Sequence, residues 1–191
     1  MFELAVVLGV LVAIVRRVDL LALSELRFRG LWFCVPAFAI KVLVLVLGAV
    51  GSPFIIAYGM WLDLAVMLLL LGLLTANLHL PGMLVLLVGL LANLLVIGLN
   101  GGRMPVTAAA LAATNQPALV AMIQANEDPG HALAGANTHL VWLADWIPLN
   151  PLNRNVFSPG DVVAALGLAI TVGFSAPPRR RSALARRAAV R

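Results

Sequence analysis

Charge is scarce in this sequence. Asp, Glu, Lys and Arg make up 11% of its 191 residues, against about 25% in an ordinary soluble domain. Cysteine occurs once, at Cys34, which excludes an intramolecular disulfide and leaves no C-x-x-C or Cys/His grouping for a structural metal. Cys34 lies inside an apolar run and reads as a small hydrophobe. Aromatics are few as well, at 6%, with a single tyrosine. What fills the chain is aliphatic: 62% of residues are hydrophobic and the mean hydropathy is +1.04. About 45–50% apolar content is ordinary. A water-soluble globule of this length has no interior large enough to hide the surplus, so a soluble enzyme and a disordered chain are both excluded as descriptions of the whole.

The apolar residues fall into five runs, near 1–15, 31–50, 55–76, 83–99 and 162–174. A bilayer crossing needs about 20 such residues. The fold expected is an all-α, polytopic membrane bundle of five helices. The first run carries Glu3, lacks a basic start and ends in Arg16-Arg17 with no small-residue cleavage site, so it reads as a retained anchor and not a cleaved signal. Gly51-Ser52-Pro53-Phe54 makes a tight hairpin between the second and third runs, and residues 77–82, with Pro81, make another. Residues 100–160 form one long connection, expected as an outer cap of short helices and loops. The basic tail, 175–191, is expected to be disordered.

Orientation is read from the arginines. Ten of the 13 basic residues lie at 16, 17, 27, 29, 179, 180, 181, 186, 187 and 191. Five crossings put all ten on one side, and the positive-inside rule makes that side cytoplasmic. The N-terminus is then outside, the C-terminus inside, and the 100–160 cap extracytoplasmic. Trp142 and Trp146 bracket an apolar stretch, as aromatics do at a membrane–water boundary. Within the cap, Thr107 is placed to cap a short alanine-rich helix and Pro117 to open another. Ser158-Pro159-Gly160-Asp161 has a capping serine, a first-turn proline and an acid at the third helical position. That pattern accounts for Asp161 without any function.

Three motifs in order, Asn100-Gly101-Gly102-Arg103-Met104-Pro105-Val106, Asp145-Trp146-Ile147-Pro148 and Val156-Phe157-Ser158-Pro159-Gly160-Asp161-Val162, resemble those of the uncharacterised bacterial integral membrane proteins called domain of unknown function 5317. The likeness covers nearly the whole chain. It implies a small polytopic protein of the bacterial cytoplasmic membrane and no particular activity. A fainter likeness is to lipoprotein signal peptidases, whose Asn-x-Gly and closing Asp-aromatic-Ile segments are echoed by Asn100-Gly101-Gly102 and Asp145-Trp146-Ile147. That family's first catalytic aspartate has no counterpart in Asn137-Thr138-His139-Leu140. An aspartyl mechanism needs two carboxylates sharing a proton, here Asp145 and Asp161 if the loop folds back.

The remaining candidates are few. Lys41 and Asp63 are the charges inside the second and third runs, each about 12–14 Å from the shared hairpin at 1.5 Å per residue. An unpaired charge at that depth costs at least about 2.5–3.5 kcal/mol, so they are expected to pair; a proton relay is the alternative. Asn100 to Pro105 reads as a left-handed helix cap, or else Arg103 binds a lipid phosphate or pairs with Asp145 or Asp161. Asn100, Arg103, Asp145 and Asp161 are thus expected as one cap network. His131 and His139 lack zinc spacing and read as loop histidines, and His79 suggests nothing specific. No phosphate loop, Ser/His/Asp set or haem motif is present. No cofactor, metal or nucleic acid is expected. Membrane lipids, a partner membrane protein or a second copy are the expected contacts, with a non-catalytic role preferred over an outer-leaflet enzyme or small transporter.

Overall fold

The computed structural model describes residues 2–18, 26–148 and 155–176. The chain is mostly helical: α1 Phe2–Val15, α2 Cys34–Ala49, α3 Pro53–Ala76, α4 Met83–Leu99, α5 Ala108–Ala112, α6 Pro117–Gln124 and α7 Pro159–Phe174. Two segments, Leu31–Gly48 and Ala57–Ala76, are long and apolar enough to cross a membrane. Three further apolar helices, Glu3–Val15, Met83–Leu99 and Pro159–Phe174, are shorter. Of the five spanning helices expected, two have the length and composition to cross a membrane, and the mostly helical fold is as expected. All but the first two residues of the basic tail lie outside the described residues.

The helices pack in the order α1, α7, α4, α3, α2. The last helix is therefore inserted between the first and the fourth. Small residues make that possible. Along α7, Gly160, Ala164, Gly167 and Thr171 recur at intervals of three and four and meet α4, where side chains on one face align. A Cβ on Gly89 would press on the backbone of Gly160 and Ala164, and one on Gly167 would press on the backbone of Leu86 and Gly82. The neighbouring stripe of α7, Ala165, Ala169 and Gly173, meets Ala5, Gly9 and Val12 of α1. Arg16 closes the α1–α7 pair, its Nη1 donating to the Gly173 carbonyl at 2.6 Å and its guanidinium lying 4.3 Å from the Phe174 ring centroid.

The helix connections use side chains to replace lost backbone partners. Asn77, fully buried at the end of α3, accepts from Arg29 N at 2.8 Å and donates to Arg29 O and Leu73 O at 2.7 Å. It fastens the approach to α2 onto the α3–α4 turn, where Leu74, Met83 and Leu87 form a core cluster. Gly82 then enters α4 at φ 83, a left-handed conformation that a side chain resists.

The cap holds strands as well as helices, which departs from the expectation of helices and loops alone. β1, Met104–Val106, pairs in parallel with β2, His131–Leu133, and β3, Ile147–Pro148, pairs antiparallel with β4, Val156–Phe157. A buried loop must satisfy its backbone groups, and two- and three-residue pairings do this without any recognisable sequence period. Val106, Leu111 and Ile123 form the cap's own apolar centre, joined by Leu119, Val120 and Val156. The cap seats on α3 at two points, Pro129 over Gly59 and Gly102 against Met60.

Candidate functional site

The antiparallel α2–α3 hairpin brings Lys41 and Asp63 to equal depth, and Lys41 Nζ lies 2.5 Å from Asp63 Oδ1. The turn of the cap that carries Asp128, Pro129 and Gly130 sits directly beside this pair, with Gly130 next to Asp63. Asp128 shapes that turn: its Oδ1 accepts from Gly130 N at 2.9 Å and from His131 N at 2.6 Å. The same oxygen lies 2.9 Å from His131 Nδ1, which fixes the imidazole ring. His131 Nε2 is then turned toward Asp145, 3.9 Å from its Oδ2.

Asp145 is held by its backbone. Its N–H donates to Pro105 O at 2.9 Å, and its carbonyl accepts from Thr107 N at 3.0 Å, bridging β1. The side chain is 8% exposed. Its Oδ1 accepts no hydrogen bond from any described residue.

Asp161 belongs to the opening of α7. Ser158 Oγ accepts from Asp161 N at 3.0 Å, and Asp161 Oδ2 accepts from Ser158 N at 3.1 Å, closing a capping box. Asn93 of α4 completes the cluster: its Nδ2 donates to Asp161 Oδ1 at 2.9 Å, and its Oδ1 accepts from Ser158 Oγ at 2.9 Å. Gly160 leaves the room that the Asn93 amide occupies. Asn93 does carry a signal in the sequence, because a lone amide within Met83–Leu99 marks an interhelical hydrogen bond.

These groups share one cavity of about 410 Å³. Lys41, Asp63, Asn93, His131, Asp145 and Asp161 line its cap end. Leu64, Met67, Leu70, Leu74, Leu86 and Leu90 line its far end between α3 and α4. A second hollow of about 610 Å³ under the cap, bordered by Val106, Leu111, Leu119, Ile123 and Phe157, shares Lys41, His131, Asp145 and Asp161 with it. The Lys41–Asp63 pair and the cap carboxylates therefore border one cavity. The sequence alone suggests separate groups and a plain loop histidine at 131; the pairing of β1 with β2 brings His131 into the lining.

Two expected members lie elsewhere. Arg103 pairs with neither Asp145 nor Asp161 within 4 Å; it donates instead to Asn126 Oδ1 at 2.6 Å. The reason is local: Gly101 and Gly102 turn the chain through φ 71 and 83, and Asn126 at φ 63 presents its amide at the end of the α6 turn. Asn100 clamps the backbone of His139, accepting from its N–H at 2.9 Å and donating to its carbonyl at 3.0 Å. Both residues brace the cap and stand outside the cavity lining.

Electrostatics separate the three cap groups. Burial pushes the Asp145 carboxyl up to about 7, against the pull of His131 and with a further push from Asp161. Burial opposes a charge on His131, but its hydrogen bond to Asp128 and the charges of Asp128, Asp145 and Asp63 carry it above its ordinary value. Burial also opposes charge on Asp128, and the hydrogen bonds and charge of His131 bring it below the usual carboxylate range. The site thus holds a His131–Asp128 pair whose contact favours the charged form of each partner, beside a carboxyl raised to about 7.

The fold and the site define a class: a mostly helical protein, with two helices of membrane-crossing length and composition, carrying a cap-covered cavity that is polar at one end and apolar at the other. The chain belongs to the Family of unknown function (DUF5317), whose model matches residues 25–173. That stretch contains the whole cavity lining and leaves out α1. No curated protein and no solved structure matches the chain.

Proposed function

We propose that this is a non-catalytic integral protein of the bacterial cytoplasmic membrane that holds a lipid-like amphiphile between its helices and its outer cap. In this reading all five apolar helices cross the bilayer, with the N-terminus outside, the C-terminus cytoplasmic and residues 100–160 extracytoplasmic. The short helices α1, α4 and α7, about 21–26 Å long at 1.5 Å per residue, cross by snorkelling of flanking residues and local thinning. Support comes from where the apolar side chains point. Only 6% of the Leu31–Gly48 window is buried, whereas the core helix of a soluble protein is buried. Val35, Phe38 and Leu45 of α2 face outward, as do Trp61 of α3 and Leu84 of α4, an apolar exterior on three helices of the kind that marks a membrane or protein contact. Lipids cover most of it; a partner membrane protein or a second copy would use the same surface.

The observation that carries the reading is the cavity, whose size falls within the range of small-ligand sites and whose polarity changes from cap to bundle as an amphiphile's does. Trp at position 90 would fill its apolar end. The protein, gently solubilised and weighed intact, should carry a bound amphiphile, and Leu90→Trp should reduce its occupancy at least fivefold while leaving the helix content unchanged. Equal occupancy in the variant, or none in the parent, overturns the reading.

Topology has its own check. In a Cys34→Ala background, Ala136→Cys should react with a membrane-impermeant maleimide applied to intact cells. Reaction only after the cells are opened would place the cap inside.

A second reading has a specific observation behind it. Asp145 and Asp161 line one cavity, and Asp145 is the carboxyl raised to about 7, which is how environments assign acid and base roles to a pair of carboxylates. An outer-leaflet hydrolase using Asp145 and Asp161 would lose all turnover in Asp161→Asn, whereas the capping role alone costs about 0.5–2 kcal/mol of stability.

A further inference from the structure

We propose that the cavity takes a single-chain amphiphile headed by a protonated primary amine, the ammonium donating to the free oxygen of Asp145 and the chain lying in the apolar end between α3 and α4. The inference rests on the amphiphile reading and specifies its head.

Consider first the polar groups already engaged. Lys41 is held by Asp63 at 2.5 Å, and His131 Nδ1 by Asp128 at 2.9 Å. Asp161 accepts from Asn93 at one oxygen and from Ser158 N at the other. Among the buried side-chain oxygens of the described lining, Asp145 Oδ1 is left: it accepts from no described residue although the side chain is 8% exposed and borders the cavity. A buried acceptor left without a donor is costly, so the group that belongs there is a donor.

Its charge follows from the neighbours. Asp63 on α3, Asp161 on α7 and Asp145 itself face the cavity, with Asp128 behind His131; Lys41 on α2 and His131 on β2 oppose them. Carboxylates outnumber cations, and each of these two cations already has its own carboxylate. A phosphate head would meet that negative field, and each cation among the described residues of the lining is already beside a carboxylate. Arg103, in the cap nearby, is turned to Asn126. An ammonium suits the field, because opposite charges at hydrogen-bond distance strengthen one another. Beyond the head, Met67, Leu70, Leu86 and Leu90 offer flexible, unbranched or γ-branched side chains that adapt to an alkyl chain. Bound ammonium favours the ionised form of Asp145, so binding at neutral pH displaces a proton from it. Acidification works against binding at both Asp145 and His131.

The test uses the full chain in a lipid nanodisc, offered equimolar dodecylamine, dodecyl phosphate and dodecanol at pH 7.5, with retained adducts counted by intact mass. Dodecylamine should be retained at least tenfold over the other two. Asp145→Asn should abolish that preference, and Leu90→Trp should lower retention of all three. Equal retention of the amine with the phosphate or the alcohol overturns the head assignment and leaves the amphiphile reading standing. Retention of none of them overturns both. Butylamine, a head without a chain, should not displace dodecylamine at equal concentration; displacement would make this a site for free amines and overturn the proposal. An Asp145→Asn variant that keeps its helix content and also keeps the preference overturns the role of Asp145.

Discussion

Asp145→Asn should make the protein more stable than its parent at pH 8 and no different at pH 4. The side chain is held in place by backbone bonds of residue 145 to Pro105 and Thr107, which the substitution leaves intact. What changes is the ionisable group. In the folded chain the carboxyl titrates at about 7, against an ordinary 3.8. The unfolded chain therefore loses its proton first as pH rises, and the folded state loses stability between about pH 4 and pH 7, then no more above that. At about 1.4 kcal/mol per pH unit the full loss is roughly 4 kcal/mol. Asparagine has the same shape and never ionises, so it removes the loss. Part of the gain is given back because His131 loses one of the charges that favour its protonated form. A net gain of about 2 kcal/mol at pH 8 is expected, read by thermal unfolding of detergent-solubilised protein across pH 4 to 8. A variant that is less stable at pH 8, or that keeps the parent's pH slope, would show that the carboxyl is not held near neutrality by burial. A destabilising acid at this position trades stability for a titratable group inside the cavity, the pattern expected of a binding or chemical site.

How much of this was readable in advance differs by element. The ends of the helices were legible, because capping is a local property. Thr107 and Ser158-Pro159-Gly160-Asp161 each announce a helix start within four residues, and both caps form, Thr107 Oγ1 accepting from Ala110 N and Ser158 Oγ from Asp161 N. The depth match of Lys41 and Asp63 was legible too, since a four-residue hairpin fixes the register of the two helices it joins. The neighbour order of the helices was not. Helices α1 to α4 are apolar at nearly every position, so they show no stripe to say which face meets which helix. Only the spacing of Gly160, Ala164, Gly167 and Thr171 hints that α7 has a close neighbour. The cap's strand pairs were illegible for a different reason. β1 and β2 match three residues each across a gap of 24, and so short a run has no alternation to detect. His131 followed from that failure: its place in the cavity depends on the register of Met104 with His131, which no nearby residue dictates. Arg103 meets the Asn126 amide because turns at Gly101, Gly102 and Asn126 bring the two together, and charge pairing between distant residues carries no such local geometry.

The largest structural effect is expected at Gly167. Its backbone lies against Leu86 N of α4 and against the carbonyl of Gly82, which caps that helix, so closely that a Cβ could not fit without moving one helix. Contact here is backbone to backbone, so there is no side-chain rotamer to yield. Gly167→Leu adds four carbons at this point and should force α4 and α7 apart. Overpacking typically costs about 1–3 kcal/mol where a core can adjust; with rigid backbone on both sides the upper end or more is expected. The displacement should also reach the site. Asn93 on α4 and Asp161 on α7 are joined across the same seam at 2.9 Å, two turns or fewer from Gly167, so separation breaks that bond and loosens the Ser158 cap. Gly98→Leu is the control. It lies on the exposed side of α4 with nothing near its Cβ position, and removing a helix-interior glycine should raise helix stability by up to about 1 kcal/mol. Thermal unfolding and limited proteolysis of the cap, run on both variants, separate the two cases. Gly167→Leu should unfold earlier and expose the cap to protease at temperatures where the parent and Gly98→Leu resist. A Gly167→Leu protein as stable as the parent would mean that α7 is not wedged between α1 and α4, and the shared cavity would lose the wall that Asp161 and Ala164 provide.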